Sequence, residues 1–135
     1  MESTSIPKTS EKLNILNQAR RKTLMIIYKI LKNQEFLELE TKGISDGSGR
    51  DQTDGFIHLS TKSQLTGTLK KYFTEEKDLI LMAIDSDPLG KNLKWEKSQQ
   101  NELFPHLYSN LVFSDALWFA PIQFAGNKHV IPSGA

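Results

Sequence analysis

The chain has 135 residues, 38% of them hydrophobic and 24% charged, enough for one globular domain with a single core and too little for two comfortable ones. Its 17 Lys and Arg against 16 Asp and Glu leave almost no net charge, so no overall basic field points to nucleic acid as a partner. The absence of cysteine excludes disulfides, thiolate metal sites and a cysteine nucleophile, and fits a cytoplasmic protein.

Residues 1–24 read as an extension ahead of the folded unit. Met1 to Ser10 is polar with no apolar signal region, while Leu13, Leu16 and Ala19 recur at rough helical spacing behind Ser10. Glu2 and Glu11 argue against a mitochondrial presequence, and Met25 is itself a credible start position. No apolar run approaches the length needed to span a bilayer, so no membrane partner is expected.

Met25 to Ile30 is rich in β-favouring residues and predicts the first strand of a domain spanning residues 25–124. A helix over 34–40 follows, with Asn33 as its cap and Gly43 as its left-handed stop. Asp46 to Thr53 is Gly- and Asp-rich and predicts a mobile loop. Its aspartates have the wrong spacing for a calcium loop, and its glycines match no phosphate-binding pattern, so they read as turn formers.

Asp54-Gly55 then launches Phe56-Ile57-His58-Leu59-Ser60, a strand whose alternation puts Ile57 and Leu59 on a core face and Phe56, His58 and Ser60 on the other. Thr61 and Gln64 match a capping box opening a helix to about Phe73. The apolar run Leu79 to Ile84 lacks alternation and predicts a central strand covered on both faces; a turn follows at Asp85 to Gly90. Leu93 to Glu96 forms another short strand, with Trp95 and Glu96 on opposite faces. Glu102, His106 and Tyr108 gather around a proline-fixed turn at Pro105, Asp115 to Ile122 closes the sheet, and a tail at 125–135 looks loose from Gly126. Strands mixed with two or three helices, without regular βα alternation, define an α+β domain.

Three polar groups could converge: His58 with Ser60, Trp95 with Glu96, and Glu102 with His106 and Tyr108. A Ser60 hydrolase is disfavoured because no nucleophile-elbow motif surrounds the serine. The three histidines lack zinc-ligand spacing, so no metal is expected. What remains is a cleft of imidazoles, aromatics and a carboxylate, suited to a ribose, a phosphate or a planar base. A structural reading stays open, in which the histidines are satisfied core residues.

The ordered motifs Asp54 to Ser60 with Gln64, Leu93 to Glu96, and Leu103 to Tyr108 resemble the domain-of-unknown-function family 952, over about residues 25–124. That resemblance implies a fold similar to the ADP-ribosyltransferases, split small sheets around a nicotinamide-dinucleotide cleft. By analogy with enzymes of that fold, Lys29 would take the ribose-contacting position, Ser60 with His58 would line the nicotinamide site, and Glu96 or Glu102 would promote glycosidic cleavage. Family members often carry His where this chain has Lys29. The expected ligand is therefore nucleotide-like, NAD or ADP-ribose, bound by Lys29, Phe56, Gln64, Trp95, Phe104 and Tyr108, with His58, Ser60, Glu96, Glu102 and His106 as catalytic candidates. A non-catalytic metabolite-binding module or an interaction domain is the alternative.

Overall fold

A computed structural model describes residues 25–98 and 101–135; the helix anticipated near residues 11–22 lies outside them. Strand β1 (Ile26–Lys32) runs into helix α1 (Asn33–Lys42), followed by β2 (Ile44–Ser45), α2 (Gly49–Asp54), β3 (Ile57–His58) and α3 (Leu65–Tyr72). Then come β4 (Leu79–Asp85), β5 (Leu93–Lys97), β6 (Leu103–Leu107), β7 (Leu111–Val112), β8 (Ala116–Ala125) and β9 (Lys128–Val130). All the strand pairs are antiparallel, in the orders β1-β4-β8-β9, β2-β7 and β3-β6-β5. The result is a small α+β domain. No helix of the described residues is long and apolar enough to cross a membrane.

The largest sheet is covered on both faces, which explains the unbroken apolar run of β4. Ile80, Met82 and Ile84 face one cluster with Ile27, Leu31, Phe36 and Leu39, while Leu79, Leu81 and Ala83 face another with Tyr28, Ile30, Leu65 and Leu69. Leu39 and Leu65 are fully buried, each worth roughly 1.5–3 kcal/mol by removal from water. Helix α1 thus seals one face and α3 the other. Past β3, Ser60 exchanges backbone hydrogen bonds with Tyr28 (2.8 and 2.9 Å), stitching the three-stranded sheet to β1.

Several expectations are corrected. Helix α1 starts at Asn33, one residue earlier than expected, and Lys32 is its cap: the Lys32 N–H donates to Glu35 Oε1 at 2.8 Å. Gly43 ends it as anticipated. The predicted loop at 46–53 contains α2, because Ser48 and Asp51 form a capping box of their own. The capping box at Thr61 and Gln64 is present, but opens a 3₁₀ turn over Lys62–Gln64 before α3 begins. The supposed turn around Pro105 is strand β6, central in its sheet. Leu59 N donates to Pro105 O at 3.1 Å, so the missing proline N–H lies on the same side, at the end of the short β3 ladder, where the proline forgoes one ladder bond at most. The loose tail is instead a hairpin in which β9 pairs with β8, and His129 bonds the Glu76 carbonyl at 2.7 Å.

Candidate functional site

Helix α2 is the first device of the site. Ser48 Oγ accepts from Asp51 N, and Asp51 Oδ2 accepts from Ser48 N at 2.9 Å. The same carboxylate lies 1% exposed beneath β1 and β3. Lys29 Nζ donates to Oδ2 at 2.7 Å, while His58 contacts Oδ1 through both its backbone N (3.0 Å) and its ring Nδ1 (2.6 Å). A Cβ on Gly47 would meet Asp51 Cβ at 2.6 Å, so only glycine fits the approach to this carboxylate.

Burial alone would raise the Asp51 pKa, but the hydrogen bonds from His58 and the Lys29 charge outweigh it and hold the carboxyl well below the usual range. Burial likewise pulls the Lys29 ammonium down, with Asp51 opposing. Lys29 Nζ also donates to the His58 carbonyl at 3.1 Å. The sequence-predicted ligand-binding lysine is therefore committed to a buried ion pair.

The two histidines of the three-stranded sheet stand opposite each other in register, with ring centroids 5.9 Å apart. Their roles differ. His58 has a carboxylate on each ring nitrogen, Asp51 on Nδ1 and Asp54 Oδ2 on Nε2 at 2.8 Å. Since carboxylates only accept, only the imidazolium form donates to both. His106 has Glu96 Oε1 on Nδ1 at 2.9 Å, and among the described residues nothing bonds its Nε2. Glu96 also accepts from Tyr108 Oη at 2.7 Å. The Tyr108 hydrogen bond and then that of His106 lower the Glu96 pKa, and the carboxylate raises that of Tyr108. Phe56 stacks on His106 at 4.0 Å between centroids and tilts against His58 at 4.6 Å, fixing both rings.

These rings wall a cavity of about 380 Å³ between the three-stranded sheet, α2 and α3. Of the candidates from the sequence, Lys29, Phe56, His58, Ser60, Gln64, Glu102, Phe104 and His106 line it. Trp95, Glu96 and Tyr108 do not: Glu96 stands behind His106, and Trp95 is on the other face of β5. Ser60 Oγ bonds Thr68 Oγ1 at 3.1 Å, and no imidazole bonds it. Gln64 caps Thr61 through Oε1, and its amide donates to Glu102 Oε1 and the Leu103 carbonyl. Sequence reasoning missed Asp51, Asp54, Arg50 and Tyr72. The Ser48-x-x-Asp51 spacing was the available signal for the first. No cluster of His, Asp and Glu among the described residues could hold a metal ion.

Fold and site together define a small α+β domain with a histidine-walled cavity. A family model described as "Protein of unknown function (DUF952)" matches residues 30–119, and the chain belongs to that family. It is similar to protein CC0527 from Caulobacter crescentus. The crystal structure of that protein is 38% identical, with a TM-score of 0.73 over 77% of this chain and 91% of that one. Its solution NMR structure gives a TM-score of 0.70 at 38% identity, over 77% of this chain and 90% of that one. No curated protein matches the chain.

Proposed function

We propose that the cavity binds a nucleotide-like ligand, NAD or ADP-ribose, and uses His106 in ribosyl transfer or glycosidic cleavage. The observation that carries this reading is the orientation of His106, with Nδ1 held by Glu96 and Nε2 left open on a cavity wall that also holds Phe56 and Phe104. A base oriented at one nitrogen and available at the other is the arrangement general base catalysis requires. In a hydrolysis of NAD, the C1′–N bond would break with its electron pair going to nicotinamide. Water oxygen would bond to C1′, and its proton would pass to His106 Nε2.

The ADP-ribosyltransferase-like reading of the fold belongs to the same proposal. Lys29, Ser60 and Glu102, on three separate segments, all line the cavity, which supports it. A volume of about 380 Å³ is at the lower end of the roughly 300–1,000 Å³ of small-molecule sites, so a dinucleotide would project from the mouth. One observation favours the second reading, a binding module without chemistry. Glu102, the candidate glutamate that lines the cavity, already accepts from Gln64, and Lys29 is bound to Asp51.

Ligand-observed NMR with NAD, ADP-ribose and nucleoside phosphates tests binding, and release of free nicotinamide from NAD tests cleavage. Binding and release are expected from the native chain, with His106→Ala lowering release by roughly 10²-fold or more. Binding without release selects the binding module; no binding of any of these ligands sinks both readings.

A further inference from the structure

We infer that Arg50, held on the ring of Tyr72, is the phosphate anchor of the cavity, so that its ligand carries a phosphate at the α2–α3 side. The inference rests on the nucleotide-like reading and names which part of such a ligand is gripped there. Arg50 follows Gly49 at the start of α2, one residue before the buried Asp51, so the ion pair that fixes Asp51 also fixes the backbone presenting Arg50. Its guanidinium carbon lies 3.6 Å from the Tyr72 ring centroid, and both residues line the cavity.

No carboxylate among the described residues pairs with this guanidinium. The two acids on the same wall are directed elsewhere, Asp54 to His58 and Glu102 to Gln64. An arginine stacked on an aromatic ring has lost much of its rotamer freedom while its planar fork of N–H donors is still available, the geometry that matches two phosphate oxygens. The Lys71 ammonium lies 5.2 Å from the same Tyr72 centroid and also lines the cavity, adding a second positive charge at one ring. Phe56 and His106 belong to the sheet side of the same space, where a ring or ribose would meet imidazole and aromatic surface. The ligand class is therefore a phosphorylated nucleoside or phosphoribosyl compound.

The test compares AMP with adenosine, ribose 5-phosphate with ribose, and inorganic phosphate alone, by ¹H–¹⁵N NMR titration of the native chain, Arg50→Ala and Arg50→Lys. Arg50 is partly exposed, so both variants are expected to keep the native spectrum. The native chain should bind each phosphorylated probe at least about tenfold more tightly than its unphosphorylated partner. Arg50→Ala should remove that preference while leaving adenosine affinity unchanged, and Arg50→Lys should retain part of it. Equal AMP affinity in the native chain and Arg50→Ala would overturn the anchor while leaving nucleotide binding intact. Phosphate and ribose 5-phosphate binding that depends on Arg50, with no nucleotide bound, would uphold the anchor and overturn the nucleotide reading. Binding of no phosphorylated probe overturns both.

Discussion

Asp51 shows how much a single side chain organises here. It caps α2, pairs with Lys29 and orients His58, so each carboxylate oxygen accepts at least two hydrogen bonds in a site closed to water. Removing one partner of a buried pair leaves the other charge stranded. Asp51→Asn is therefore expected to cost roughly 3–5 kcal/mol of unfolding free energy, measured by urea denaturation at neutral pH. The pH dependence has a definite sign. The folded Asp51 pKa lies below the ordinary value of 3.8, so its stabilisation is full above that value and is lost as pH falls toward the folded one. The native chain should lose stability below about pH 4, and Asp51→Asn should lack that component. A variant as stable as the native chain would show the network to be dispensable. In the sequence this residue passed for a turn former, because only the fold reveals that Lys29 and His58 arrive beside it from 22 residues before and 7 after.

Among the elements, β1, α1 and β4 were legible because propensity, caps and apolar runs agree with one another. Helix α2 was not, since its six residues lack an apolar stripe and its stability comes from the Ser48 cap and the buried Asp51. Strand β6 was hidden by Pro105, whose missing donor falls only at the end of the short β3 ladder. The C-terminal hairpin turns on Asn127 and Gly126, both at positive φ, a signal present in the sequence and read only as looseness. Gly55 tests the α2 account at this scale. It ends the helix at φ 84°, and a Cβ there would meet nothing within 4 Å, so Gly55→Ala carries a purely conformational cost of roughly 1–2 kcal/mol. Thermal and chemical denaturation should show that loss with the cavity ligands still bound; no loss would mean that the left-handed cap contributes little.

At the scale of the molecule, the site exists because the three-stranded sheet is fastened to the edge strand β1 through Tyr28 and Ser60, bringing His58 and His106 against α2 and α3. Sequence motifs identified the sheet side of the cavity wall and Gln64, namely Phe56, His58, Ser60, Gln64, Glu102, Phe104 and His106, because alternation along strands is a local property. Which glutamate enters the cavity was not local. Glu96 and His106 meet diagonally across β5 and β6, a matter of register, and that places Glu96 behind the imidazole and leaves Glu102 on the wall. The two histidines diverge for the same reason: His58 is closed by aspartates from α2, whereas His106, among the described residues, is hydrogen-bonded through Nδ1 alone.

That difference is what the functional account depends on, and the imidazole ¹⁵N spectrum of the native chain during titration with ADP-ribose measures it most directly. The prediction is a shift of His106 Nε2 on binding, with His106 Nδ1 still hydrogen-bonded to Glu96 and the His58 nitrogens, both held by aspartates, unchanged. An unchanged His106 at saturating ligand, or a response confined to His58, would contradict it.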